Sequence, residues 1–144
     1  MKTVRHFGIV VSNLEKSLHF YKDILGLKIQ RDMLEEGKFV DDILGLQDVK
    51  VRTIKMSADE GNTLVELLWY QSHLGRKKED KKIFDIGPSH LALTIDNLEN
   101  LYQKLKSEGV KFNCPPQVSP DGKAKVVYCY DFEGNPIELV EELS

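Results

Sequence analysis

Four residues do not suit the strands that carry them. His6 opens the apolar run His6-Phe-Gly-Ile-Val-Val11, and His90 opens a matching run, His90-Leu-Ala-Leu-Thr-Ile95. Glu66 lies inside Thr63-Leu-Val-Glu-Leu-Leu-Trp-Tyr70, and Glu138 inside Pro136-Ile-Glu-Leu-Val140. Strand side chains alternate between faces, and a strand apolar on both sides has no wet face to offer a carboxylate. Burying an isolated charge costs several kcal/mol or more unless it is paired or ligated. Two imidazoles and two carboxylates form an N₂O₂ donor set suited to one divalent ion such as zinc, nickel, cobalt, manganese or ferrous iron. With two carboxylates balancing its charge and two positions open, such an ion is a Lewis acid for a substrate carrying adjacent oxygens.

Taken singly, each residue has a plain structural explanation. A lone strand histidine is usually a hydrogen-bonded structural residue, and a lone strand glutamate usually faces solvent at a sheet edge. What favours a metal site is that the chain is written twice. The stretch HFGIVVSNLE, residues 6–15, returns as HLALTIDNLE, residues 90–99, so 84 residues separate His6 from His90 and also Asn13 from Asn97.

The elements that must position these residues follow from periodicity. Asn13 caps a helix running to Leu25 with Leu14, Leu18, Tyr21 and Leu25 inward, and Gly26 stops it. Asn97 caps a second helix with Leu98, Leu101, Tyr102 and Leu105 inward, stopped by Gly109. Each helix follows a strand (Val4–Val11, His90–Ile95) and precedes another (Leu27–Arg31, Val110–Asn113). Two more strands complete each copy. In the first they are Val49–Met56 and Thr63–Tyr70 around the turn signal Asp59-Glu-Gly-Asn62; in the second, Lys125–Tyr130 and Pro136–Val140 around Phe132-Glu-Gly-Asn135. The order is β-α-β-β-β, twice.

The expected fold is therefore α+β, a single domain over 1–144 in which two tandem βαβββ modules pair into an open, curved mixed-sheet cleft. Module 1 is expected over about 1–70, a polar linker over 71–87 and module 2 over about 88–144. The KKEDKK run of the linker reads as a solvated loop. An insertion, Leu34–Asp48, separates the second and third strands of the first copy, and its Val40–Gly45 stretch reads either as a short helix or as a lid.

Composition narrows the remaining classes. A formal charge of -3 with 30% charged residues does not favour nucleic acid or an anionic membrane as partner. Cys114 and Cys129 have no CxxC spacing and read as reduced thiols. The apolar run near the start is broken by Ser12, Asn13 and Glu15, too early for a signal peptide or a membrane span, so the expected location is cytoplasmic. His19 and His73 read as surface residues. No glycine-rich phosphate loop, no G-x-S-x-G turn and no cysteine placed with a base appears, and Trp69 and Tyr70 read as packing or cleft-lining residues.

HFGIVVSNLEKSLHFYKDILGL, LVELL, SHLALTIDNLENLYQKLKSEGV and DFEGNPIELVE together resemble the vicinal oxygen chelate superfamily, which includes glyoxalase I, methylmalonyl-CoA epimerase, extradiol dioxygenases and antibiotic-resistance proteins. The resemblance covers nearly the whole chain. It implies His6, Glu66, His90 and Glu138 as ligands of one divalent metal ion. It also implies Glu66 and Glu138 as the catalytic carboxylates, with Glu138 assigned proton transfer. The implied activity is that of a lyase or isomerase of the glyoxalase I or epimerase type, which stabilises an enolate or enediolate of a small oxygenated substrate. An extradiol iron dioxygenase and a non-catalytic module that sequesters a small molecule are the alternatives. The implied assembly is a homodimer. Where bacterial glyoxalase I holds glutathione through arginine and asparagine, this chain has Val10 and Tyr70, so the resemblance leaves open whether glutathione or CoA is involved.

Overall fold

Alternating apolar residues make the strands, and hydrogen-bond register then decides which side chains meet. The computed structural model describes residues 1–144. In chain order the elements are β1 (His6–Val10), α1 (Leu14–Leu18) running into a π-helical segment (His19–Ile24), β2 (Lys28–Glu36), α2 (Lys38–Leu44), β3 (Lys50–Ser57), β4 (Leu64–Tyr70), β5 (Leu91–Thr94), α3 (Leu98–Ser107), β6 (Gln117–Val118), β7 (Ala124–Tyr130) and β8 (Pro136–Glu142). They form two four-stranded mixed sheets, ordered β1-β4-β3-β2 and β5-β8-β7-β6. The chain divides into compact units at Met1–Lys77 and Lys78–Ser144, each holding one sheet. The α+β class and the doubled βαβββ order are as expected, and the insertion adds α2 to the first copy. No helix is long and apolar enough to cross a membrane.

In the first unit, β1 pairs parallel with β4, while β3 pairs antiparallel with both β4 and β2. The helical stretch after β1 is capped by Asn13, whose side chain accepts the Lys16 N–H at 3.0 Å. It does not stay α-helical as its 3.6-residue periodicity predicts. The π-helical turns rotate Phe20, Tyr21 and Ile24 into the core, with Phe20 and Tyr21 fully buried, and leave Leu18 and Leu25 half-buried. Two aromatic rings then pack edge to face, 4.9 Å apart, where one was expected. Gly26, at φ 83, takes the left-handed conformation that ends the helix.

The second unit repeats the plan: β5 is parallel to β8, and β7 is antiparallel to β8 and β6. Asn97 caps α3 by accepting the Asn100 N–H at 3.0 Å, and Leu98, Tyr102 and Leu105 are buried beneath it. One expected strand fails here. Residues Val110–Asn113 make only an isolated bridge, Phe112 to Cys129, and β6 forms later, at Gln117–Val118. Pro115 and Pro116 lie between them; neither has an N–H to donate to a ladder, so a continuous strand cannot run through.

Two local features matter for the site. First, β2 carries a bulge: Ile29 faces Met56 but Arg31 faces Lys55, so Gln30 is the extra residue, and its amide reaches back to Ser57 Oγ at 2.9 Å. Second, the insertion is a helix seated on the sheet. Val40 of α2 packs into a cluster with Val49 and Val51, against which Leu68 and Tyr70 also lie, and Asp41 accepts the N–H groups of Asp48 and Val49.

Both cysteines are free, Cys114 exposed and Cys129 buried. Burial, with the charge of Asp131 adding to it, pushes the Cys129 thiol up to about 12. A thiol reagent near neutral pH is therefore expected to titrate one cysteine per folded chain, and the second only in denaturant. Two fast-reacting thiols in the folded state would contradict this packing.

Candidate functional site

In each unit the first strand lies parallel to the last, and this places the histidine. Gly8 is the register partner of Glu66 and Ala92 that of Glu138. His6 and His90 each sit two residues earlier, on the same face of their sheet. His6 Nε2 lies 3.0 Å from Glu66 Oε2, and His90 Nε2 lies 3.1 Å from Glu138 Oε2. The structure thus brings the four expected residues together as two pairs, one per unit, at the same register positions. No group of three or more metal-ligating side chains gathers.

Glu66 is 6% exposed, whereas Glu138 is half-buried. Glycine in β1 leaves the space beside Glu66 narrow: a Cβ on Gly8 would stand 3.1 Å from Leu68 Cδ1. Ala92 occupies the matching position in the second unit.

The third member of each cluster was not legible as a motif. Lys55 is the cross-strand partner of Glu66, and Tyr128 is the cross-strand partner of Glu138. Lys55 Nζ stands 3.6 Å from Glu66 Oε1, so this carboxylate has an imidazole at one oxygen and an ammonium near the other. Tyr128 Oη lies 3.1 Å from His90 Nε2, and the two rings meet edge to face at 5.1 Å. Burial holds the Tyr128 phenol above its usual range, and the Glu138 charge and a hydrogen bond with Glu138 push the same way. His90 Nδ1 lies 2.6 Å from Ser89 Oγ, which fixes the ring and leaves Nε2 toward Glu138. Counting back from the turn through each hairpin would have paired Lys55 with Glu66 and Tyr128 with Glu138.

The remaining histidines stand apart. His19 Nδ1 pairs with Asp23 at 3.3 Å on the exposed side of its helix. His73 is half-buried and lies 2.7 Å from Ser72 Oγ. Tyr70 packs beside the α2 cluster.

A sequence profile of the Glyoxalase/Bleomycin resistance protein/Dioxygenase superfamily matches residues 3–139. A lactoylglutathione lyase from Schizosaccharomyces pombe is 27% identical over 148 residues, covering 96% of this chain and 47% of that one, so the chain spans about half of that relative. A lactoylglutathione lyase from Neisseria meningitidis is 26% identical over 144 residues, covering 96% of this chain and 90% of its own. The crystal structure of a glyoxalase family protein from Bacillus cereus superposes with a TM-score of 0.90 at 20% identity, covering 100% of this chain and 96% of that one.

A buried carboxylate flanked by Val65 and Leu67 is costly to the fold. Replacing a buried ionic group with an apolar one of similar size is often neutral or stabilising by about 1–4 kcal/mol. In urea titrations of metal-free protein, Glu66→Leu is therefore expected to match or exceed the wild type in stability. Leu67→Ala, at a fully buried neighbour, is expected to lose about 2–5 kcal/mol. A Glu66→Leu loss as large as that of Leu67→Ala would make Glu66 a structural residue.

Proposed function

This chain belongs to the Glyoxalase/Bleomycin resistance protein/Dioxygenase superfamily, and on that premise we propose that it is a divalent-metal-dependent lyase or isomerase acting on a small oxygenated substrate. The observation that carries the reading is the repeated register: two His–Glu pairs, each on a first and a last strand, with N···O separations of 3.0 and 3.1 Å. Each pair holds an imidazole nitrogen and a carboxylate oxygen side by side, donor types that a divalent ion would take. The residues that would hold the ion are His6, Glu66, His90 and Glu138. When bound, a divalent ion supplies Lewis-acid stabilisation of negative charge developing on a substrate oxygen, worth several kcal/mol where water is excluded.

The chain's own side chains divide the remaining work. Glu66, buried with Lys55 against it, is suited to serve as a ligand. Glu138 is the more accessible carboxylate, its side chain 23% exposed against 9% for Glu66, and no lysine or arginine pairs with it. It is the residue placed to take a proton from a carbon beside a carbonyl. The C–H electron pair becomes a C=C bond as the carbonyl pair moves onto its oxygen; when the hydroxyl on the first carbon passes its proton to that oxygen and becomes the new carbonyl, the C=C pair takes the proton back from Glu138 at the former carbonyl carbon. Such positioned proton transfer contributes about 10²–10⁴-fold. Ser89 orients His90 from one ring nitrogen, and the Tyr128 hydroxyl stands at the other.

Elemental analysis after loading with zinc, nickel, cobalt or manganese is expected to find one ion for every two His–Glu pairs. His6→Ala and Glu66→Ala are each expected to reduce that content. Assayed on hemithioacetals of 2-oxoaldehydes with several thiols, Glu138→Gln should keep the metal and lose roughly 10²–10⁴-fold in turnover. Wild-type turnover by Glu138→Gln would remove the carboxylate from the mechanism. Oxygen consumption with a catechol would move the chain to the dioxygenase members. Tight ligand binding without metal uptake would move it to those that sequester.

A further inference from the structure

The row of side chains that crosses the first sheet at the level of Glu66 reads Arg31, Lys55, Glu66, Gly8, from β2 through β3 and β4 to β1. Paired residues of neighbouring strands share a face, so Arg31 and Lys55 stand side by side on the face that carries His6 and Glu66. Two like charges directly opposite one another destabilise a sheet. Nearby carboxylates do little to relieve this pair. Asp32, next to Arg31 in sequence, is taken up on the other face by Arg52, which donates to it at 2.6 and 2.9 Å. Glu35, on the same face, accepts from Thr53 Oγ1. Arg31 makes no ion pair, and its Nε–H is turned to Met33 Sδ. Lys55 has only Glu66, at 3.6 Å, and Glu66 also serves His6.

The bulge in β2 creates this juxtaposition. Had the register run on from Ile29 without a bulge, Gln30 would face Lys55, and a neutral amide would stand where the guanidinium stands. Bulges recur beside binding sites because they re-aim a side chain. The matching row of the second unit has no such pair, since its Glu138 is flanked by the phenol of Tyr128.

We propose that Arg31 and Lys55 form an oxyanion subsite next to the His6–Glu66 pair, and that the substrate carries a carboxylate or phosphate group. The assignment rests on the metal-dependent reading only in placing this group beside the substrate's reacting oxygens; binding of the anion itself requires no metal. Guanidinium offers a planar fork of donors to two oxygens, and ammonium offers a point charge, a combination suited to either anion. Lys55, whose side chain is 24% exposed, keeps part of its charge away from bulk water, where the attraction is strongest.

The test is a nuclear magnetic resonance titration of metal-free full-length protein, with malonate in one arm and inorganic phosphate in the other. Metal uptake is measured separately on the same preparations. Saturable shifts are expected at the Arg31 Nε–H and at the backbone amides of Lys55 and Glu66. Arg31→Gln and Lys55→Gln should each weaken binding about ten- to a hundredfold, while Lys28→Gln, at an exposed pair with Asp59, should leave it unchanged. Tighter binding of malonate than of phosphate names a carboxylate as the group held, and the reverse order names a phosphate. Binding that ignores both substitutions, or no saturable binding of either anion, overturns the subsite. Anion binding by a protein that takes up no metal keeps the subsite and overturns the metal-dependent reading instead.

Discussion

Parallel strands cannot be joined by a tight turn, so a chain that lays its last strand beside its first must route a helix and further strands between them. In both units this is what happens: β1 with β4, and β5 with β8, are the only parallel pairs in their sheets. That pairing carries an imidazole from the start of the unit to a carboxylate near its end. It also sets their offset, because a shift of one residue would send the histidine to the opposite face. The cores serve the pairing. α1 with its π-helical extension, and α3, bury aromatic and aliphatic side chains that hold each sheet while its other face is left for the two polar groups.

The sequence carried the doubled architecture because both of its marks are local: period-2 apolar runs, and asparagine caps at equal spacing. It also carried His6, Glu66, His90 and Glu138, since a polar residue inside an apolar strand is visible without coordinates. Other features depend on information that letters do not hold. Helical spacing alone does not distinguish an α-turn from the π-turns over His19–Ile24. Val110–Asn113 keeps only a bridge to β7, not a ladder continuous with β6, because the two prolines downstream have no N–H to donate. Lys55 and Tyr128 are ordinary strand residues until register sets them against the glutamates. Arg31 is less legible still, because only an inserted residue turns it toward Lys55.

Two copies of one plan have diverged most where they face the carboxylates. The first unit sets an imidazole and an ammonium against Glu66 and nearly closes it from water. The second leaves Glu138 more open, beside a hydroxyl that burial and the carboxylate both keep protonated. A shared frame therefore supports two different environments for the same residue type, the physical basis of the unlike roles proposed for the two glutamates. Beside the carboxylates themselves the asymmetry lies in the cross-strand neighbours, Lys55 in one unit and Tyr128 in the other.

Helix α2 has a geometric consequence of its own. Val51, Leu68 and Tyr70, which it covers, lie on the same face as Glu66, and Leu68 follows Glu66 by a single step of the pleat, about 7 Å. A molecule stretched along β4 from the carboxylate toward the end of the strand meets a wall almost at once. The insertion thus bounds the Glu66 face on the side of the strand's far end.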